Sequence, residues 1–379
     1  MFQSRSDVMN ILVDGRIWSL YSAGVGTFFT GAIMEWAQQR ADDTFYVIVP
    51  RGIDARYELS DMPANIKLLD YTGRFPKFLP NIILLQLTVP RLCRMLDVDL
   101  YYSPLPYMPL MIPSRVKTLI TVHDVVNIEM AHTMSWTNRM ANAFAFGRSV
   151  RRAGYLWTNT EYTRSKVEEY YPRRRAEEIF VGGAVDRKLF YPRNLSDDAV
   201  SELKARHGIK DRFILFVGSL EPRKNLQFLL RIIPDLYLEH GIQLVVVGAK
   251  RWKESGLSSV IEAPEFPRES TVFCGFLSNE ELAALYSTAD CFVSAALMEG
   301  FGMPQLEAML CGCPVVTANN TAMAEVASGI DAAFPVDGYE PDVWKQTILR
   351  VINERPKVNP VQLMQYDWKL IVNRLLTVI

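Results

Sequence analysis

Short apolar runs alternate with stretches whose hydrophobic residues recur at helical spacing, and the alternation occurs twice along the chain. In the first half, Ile11–Val13, Phe45–Val49 and Thr118–Val122 predict buried strands separated by Gly and Pro punctuation. In the second half, Phe213–Val217, Gln243–Val247, Thr271–Cys274, Cys291–Val293 and Pro314–Thr317 predict five more, each followed by a helical pattern. Continuous apolar strands that alternate with helices build parallel sheets covered on both faces. The expected class is therefore α/β, with two doubly wound domains facing across a cleft. The seam falls near residues 186–198, where Tyr191-Pro192-Arg193-Asn194 precedes a polar, acidic helix start. We place an N-terminal domain over 1–190 and a C-terminal domain over 191–358. Residues 359–379 end in an amphipathic stretch, Tyr366–Leu376, which fits a helix returning to the first domain, although spacing alone does not require it. There is no repeat of 20–50 residues and no low-complexity tract.

Composition narrows the class. The 379 residues are 49% hydrophobic and 22% charged, a globular balance that excludes disorder, collagen and coiled coil as the main theme. The apolar stretch around Ile82–Leu87, broken by Gln86, is far short of the roughly 20 residues a spanning helix needs. Asp7 and Asp14 interrupt the N-terminal region, so no signal peptide is expected, and the protein is read as cytoplasmic. Cys93, Cys274, Cys291, Cys311 and Cys313 are odd in number and sit mostly in apolar runs, as buried free thiols do. The net charge of −1 hides an asymmetry. Residues 1–195 carry 24 Lys and Arg against 19 Asp and Glu, or +5, and the remainder carries 17 against 23, or −6.

Three strand–loop–helix junctions are suited to anions, because ligands of open α/β sheets sit at strand carboxyl ends, where the next helix offers free N–H groups. The first is Asp14–Thr30, where Gly24-Val25-Gly26 opens a helix. Its glycines admit a ligand close to the backbone, and a plain glycine turn reads the same way. The motif is not G-x-G-x-x-G, which disfavours a nicotinamide enzyme. In the second, Gly218 ends a strand and Arg223-Lys224 stand where a helix begins. Cations there oppose the helix dipole unless an anion joins them; a solvated surface pair is the alternative. The third runs from Glu299 through Gly300-Phe301-Gly302-Met303-Pro304 to Glu307 and Gly312. Pro304 suits a first helical turn and Gly312 a stop. Glu299 in the loop and Glu307 a turn into the helix are then separate carboxylates for different parts of one ligand. A carboxylate accepts two hydroxyls well, as sugars present them.

Glu299 and Glu307 form an E-x7-E motif inside EGFGMPQLEAMLCGCPVV. With VGSLEPRKN upstream, GFLSNEELAALYSTADCFVS between and AEVASGIDAAFPVD after, residues 212–338 resemble the donor domain of retaining glycosyltransferases of family 4. The first half resembles the family more loosely, through the glycine loop, TVHDV at Thr121–Val125 and the approach to the linker. The resemblance implies the GT-B architecture, with two Rossmann-like domains. It implies that Arg223 and Lys224 neutralise a nucleotide diphosphate, that Glu307 holds ribose hydroxyls and that Glu299 holds a donor-sugar hydroxyl. Backbone amides of Phe301, Gly302 and Met303 then bind sugar and phosphate, and Phe276 lies by the base. Gly218 joins the donor-binding set, Gly24 and Gly26 approach the diphosphate, and His123 the donor sugar. Ala295-Ala296 depart from the Pro-Ser pair common before the first Glu.

His123 follows an apolar strand beside Asp124. Oriented by Asp124 it is a candidate base for an inverting reaction. The family implies retention instead, with the departing phosphate taking the acceptor proton and the protein stabilising the diphosphate. Asp97-Val98-Asp99 matches the metal-binding D-x-D of another fold but precedes an apolar strand, and Arg223 and Lys224 already meet the diphosphate charge. We expect no metal and no cofactor beyond the nucleotide-sugar co-substrate. The segments 71–94 and 130–152 mix aromatics, Met and cations, and Arg148, Arg151, Arg152, Arg173, Arg174 and Arg175 form a basic series. An anionic membrane and a solvated helix face explain that series equally; nucleic acid is disfavoured. The expected function is transfer of a hexose, mannose favoured and GDP-mannose the first donor, to a glycan or lipid-linked acceptor in cell-surface polysaccharide synthesis such as lipopolysaccharide. A non-catalytic sugar-nucleotide-binding subunit, an epimerase and a phosphorylase on the same fold are the alternatives.

Overall fold

The structure is a computed structural model that describes residues 8–19, 23–49, 52–54, 57, 59, 61–70, 81–130, 136–248 and 257–379. Residues 71–80 and 131–135, parts of the two aromatic and basic segments above, lie outside the described residues. The chain divides into two units, Met1–Ala184 with Trp368–Ile379, and Val185–Asp367.

The first unit is built on seven strands: β1 (Asn10–Asp14), β2 (Thr44–Ile48), β3 (Ile66–Leu69), β4 (Leu100–Ser103), β5 (Lys117–Val122), β6 (Tyr155–Thr158) and β7 (Ile179–Val181). Their order is β3-β2-β1-β4-β5-β6-β7, and every pair is parallel. The second unit has six: β8 (Arg212–Val217), β9 (Ile242–Val247), β10 (Thr271–Gly275), β11 (Cys291–Ser294), β12 (Val315–Ala318) and β13 (Ala333–Val336). They order as β10-β9-β8-β11-β12-β13, again all parallel. Both sheets are doubly wound. The central strands are largely apolar because helices cover both faces: all six residues of β9 are buried, Gln243 among them.

The topology locates the sites. In each sheet the strand order reverses beside the first strand, between β1 and β4 and between β8 and β11. At such a switch point neighbouring loops leave in opposite directions and open a crevice at the strand carboxyl ends.

The unit boundaries fall at Ala184/Val185 and Asp367/Trp368 rather than at 190/191 and 358/359. Residues 359–367 do not join the terminal helix. They form a 3₁₀ turn (Pro360–Tyr366) tied to the second unit through buried Leu363 and a Gln362 side-chain bond to the Gly329 carbonyl. The helix Trp368–Leu375 packs in the first unit, where Trp368 lies edge-on to Phe28 with ring centroids 4.8 Å apart. Its indole fills the place of a side chain at Gly31, where an added Cβ would sit 2.1 Å from the indole nitrogen. The charge split follows the units: the first carries 23 Lys and Arg against 18 Asp and Glu, the second 18 against 24. Among the described residues no helix is long and apolar enough to cross a membrane. The five cysteines are free thiols, four buried and Cys274 partly so.

Candidate active site

The loops that leave β8 and β11, neighbours at the second switch point, meet over one carboxylate. After β8 the chain turns through a short 3₁₀ segment, Pro222–Lys224, before the helix Leu226–His240 starts. Asn225 joins the two in a left-handed conformation (φ 53°), which Asn tolerates better than most residues. The two cations therefore sit in a turn ahead of the helix. They are also already paired. Lys224 Nζ hydrogen-bonds Glu299 Oε1, and Arg223 Nη1 reaches Glu299 Oε2 at 3.2 Å. The Arg223 Nε donates to Glu221 Oε2 at 2.7 Å. Lys224 and Glu299 are both buried. The backbone closes the same junction, with the Leu297 amide donating to the Arg223 carbonyl at 2.8 Å. The awkward charge noted in the sequence is thus relieved within the protein by Glu299 and Glu221.

The loop Ala295–Glu299 is held from outside by residues that sequence reasoning missed. Asn320 Nδ2 and the Tyr339 hydroxyl both donate to the Ala296 carbonyl at 3.0 Å, and Asn320 also bonds Tyr339 at 2.9 Å. The Glu299 amide donates to Thr321 Oγ1 at 3.3 Å, from a Thr321 whose φ is 48°. Ala295 and Ala296 are completely buried, so small side chains fit where the family often has a Pro-Ser pair.

Glu307 lies behind this cluster on the helix Met303–Leu310. Its Oε2 accepts a 3.0 Å bond from the Tyr286 hydroxyl, and both side chains are buried. Burial pushes the Glu307 pKa up to about 7, against the opposing pull of the Tyr286 bond and the Lys224 charge. Tyr286 is pushed well above its ordinary value by burial and by the neighbouring carboxylate.

Gly302 caps that helix at φ 78°, and an added Cβ would meet Met323 Sδ at 2.8 Å. Both facts exclude a side chain. Among the described residues the amides of Phe301, Gly302 and Met303 have no hydrogen-bond acceptor, as expected of helix-start donors. The Phe301 and Met303 side chains are buried. Gly218, after β8, lies against the Lys224 stem, and Phe276 stands half-exposed after β10 beside Gly275 (φ 72°).

In the first unit the helix Ala23–Gln39 begins at the glycine pair, whose members differ. Around Gly24 an added Cβ would meet nothing within 4 Å, whereas at Gly26 it would lie 1.9 Å from the Tyr57 hydroxyl. Packing against Tyr57 accounts for Gly26 without a ligand. His123 does not meet Asp124, whose Oδ1 accepts from the Val126 amide at 3.1 Å. Its Nε2 is 2.8 Å from the Pro104 carbonyl, which can only accept, so Nε2 carries the hydrogen. Nδ1 then accepts from the Asn159 side-chain amide at 3.0 Å. Burial lowers the pKa to about 4. A neutral ring with both nitrogens engaged does not fit the general base considered for an inverting reaction. It fastens the loop after β4. Asp97 pairs with Arg115 at 2.8 Å and Asp99 accepts from the Asn10 amide at 2.8 Å, so both acids serve the start of β4.

Residues 200–362 match the family described as glycosyl transferases group 1. Over 186 residues the chain is 31% identical to the serotype-specific mannosyltransferase WbdA of Escherichia coli, taking in 48% of this chain and 23% of that protein. Over 145 residues it is 34% identical to the O-antigen chain mannosyltransferase B of Escherichia coli, or 38% and 37% of the two chains. The matches thus span well under half the length of these relatives. Among solved structures, Anabaena HepE in complex with UDP-glucose aligns with a TM-score of 0.73 at 18% identity, over 98% of this chain and all of that one. Such a likeness speaks for the fold, which is GT-B.

Proposed function

We propose, from the membership of residues 200–362 in the glycosyl transferases of group 1, that the protein transfers a hexose from a nucleoside-diphosphate sugar to a glycan or lipid-linked saccharide with retention of configuration. Mannose, from GDP-mannose, is the favoured sugar because the relatives quoted are mannosyltransferases. The reading places the protein at the inner face of the cytoplasmic membrane, in surface polysaccharide synthesis.

The observation that carries it is the convergence of Arg223 and Lys224 on Glu299 at the switch point, with Glu307 on the helix behind. A departing nucleoside diphosphate gains negative charge, and preorganised cations stabilise that charge without reorganising. Arg223 and Lys224 take that role, and the free amides at the start of the helix Met303–Leu310 add donors. Glu299, held by both cations, accepts a donor-sugar hydroxyl; Glu307 accepts the ribose hydroxyls; Phe276 lies by the base. Retention is what the resemblance to the family 4 enzymes implies, and two observations support it. Two cations make Glu299 a poor nucleophile, and His123 is a neutral ring with both nitrogens used. The leaving phosphate oxygen is then the base for the acceptor hydroxyl. With the diphosphate charge met by side chains, the reading needs no metal ion.

The test is incubation with GDP-mannose, UDP-glucose and ADP-glucose in turn, with a lipid-linked saccharide as acceptor. Acceptor-dependent release of nucleoside diphosphate and a product with the donor's anomeric configuration by NMR are expected. No release from any donor, or an inverted product, overturns the reading.

A further inference from the structure

The first unit has its own switch point, between β1 and β4, and a pocket of about 210 Å³ lies beside it. Arg16, just past β1, and Tyr107–Leu110, past β4, form one side; the helices Asn81–Met95 and Trp136–Arg152 form the other. The loop after β4 is the one His123 fastens through Pro104.

Several of its polar groups are already committed. Gln86 Oε1 accepts from the Leu110 amide at 2.7 Å, and Ser149 Oγ accepts from the Met108 amide at 3.0 Å while donating to Ala145. The Arg16 guanidinium makes a two-pronged pair with buried Asp14. What remains is apolar: Leu85, Met108, Leu110 and the well-exposed Phe144. A saccharide would find few free partners for its hydroxyls in this pocket.

The rim is cationic. Arg151 stacks on Tyr171, with the guanidinium 5.0 Å from the ring centre, and Arg174 reaches Glu168 at 3.4 Å, so the basic series is divided. Arg148 and Arg152 instead both turn to one neutral atom, the Leu110 carbonyl, through long bonds of 3.4 and 3.3 Å. Neither has a carboxylate within ion-pair reach among the described residues. Two guanidiniums brought together without an anion repel, and a phosphate between them relieves both.

We propose that this pocket binds a lipid phosphate, with the aliphatic stem against Phe144, Leu85 and Met108 and the phosphate between Arg148 and Arg152. The site adds to the transferase reading but does not rest on it, because binding is measured without transfer.

The experiment is calorimetric titration of the full chain with farnesyl phosphate below its micelle concentration, beside farnesol and inorganic phosphate. Farnesyl phosphate binds at least about tenfold more tightly than either, since each part alone forfeits one set of contacts. Arg148→Ala with Arg152→Ala weakens it about tenfold or more and leaves farnesol unchanged, whereas Ala145→Trp, which fills the pocket, weakens farnesyl phosphate and farnesol alike. Farnesyl phosphate binding no tighter than inorganic phosphate, or unchanged binding in folded variants, overturns the proposal. Were a variant not to fold, the three-ligand comparison on the natural chain still decides.

Discussion

The Tyr286 hydroxyl donates a 3.0 Å hydrogen bond to the Glu307 carboxylate, and both groups are removed from water. That bond and the Lys224 charge hold down a carboxyl which burial raises to about 7. The ionised form accepts ribose hydroxyls more strongly, and on both oxygens. Donor binding should therefore tighten as pH rises through about 7 and level off above it. Glu307→Gln should flatten the dependence, and Tyr286→Phe should move its midpoint to higher pH by deleting a bond to the charged form. Calorimetric affinities for GDP-mannose on either side of neutrality check both shifts; a pH-independent affinity in the natural chain removes Glu307 from the role.

Glu299 neutralises the cations that are to meet the diphosphate, so its removal should separate binding from transfer. Glu299→Gln keeps the shape and deletes one negative charge beside Arg223 and Lys224. Free nucleoside diphosphate should bind as tightly or more tightly, while transfer falls by about 10² or more through loss of the sugar contact. Lys224→Ala should weaken both and also destabilise the second unit by about 1–3 kcal/mol, because the buried Glu299 carboxylate loses one of its two cations and keeps only Arg223. Nucleotide titrations, initial rates and denaturant curves for the two variants distinguish these outcomes. Weaker diphosphate binding in Glu299→Gln would contradict the assignment.

Much of this site was legible in the chain, and what escaped has a common cause. The strands β8, β9 and β11 announce themselves through the apolar runs Phe213–Val217, Leu244–Val247 and Cys291–Val293, because both faces are covered. Ile66–Leu69 has only one fully buried residue, Ile179–Val181 is three residues long, and β13 carries Pro335 at the sheet margin, so none gives a period to read. Arg223, Lys224, Glu299 and Glu307 were visible because glycines and prolines punctuate their loops. Their supports were not. Tyr286 meets Glu307 across 21 residues and Asn320 reaches Ala296 across 24, contacts set by how separate helices and loops pack. Likewise Trp368 shows only as an apolar position in the sequence, and its partner Gly31 lies in the first helix.

That last contact predicts the consequence of losing the terminal helix. The Trp368 indole is buried and meets Phe28 and Trp157. Trp368→Ala should cost the first unit about 3–5 kcal/mol through lost contacts and a cavity. Gly31→Ala should also destabilise it, since the added methyl needs the space the indole holds. Nucleotide affinity should persist, because the nucleotide-binding residues of the second unit are untouched. Urea unfolding followed by tryptophan fluorescence, with nucleotide titration of the same samples, checks the separation. Equal loss of both would refute it.

His123 and Glu307 should make opposite contributions to stability over the same range of pH. His123 has a folded pKa near 4, below its usual 6.5. Between those values the unfolded chain binds the extra proton, so stability from this group is complete above about 6.5 and lost as pH falls. The loss is about 2 kcal/mol at a pH of about 5, from the 1.4 kcal/mol carried by each pH unit. Glu307 is raised from 4.5 to about 7, so between those values the folded chain holds the extra proton. Its contribution is complete below about 4.5 and lost as pH rises to 7. The two slopes oppose each other, and the natural chain should vary little in stability between about pH 5 and 7 through these groups. His123→Gln should leave a profile that gains stability on acidification, and Glu307→Gln one that loses it. Thermal unfolding of the three proteins at matched ionic strength reads the difference, and parallel profiles would mean that neither group is held as the structure places it.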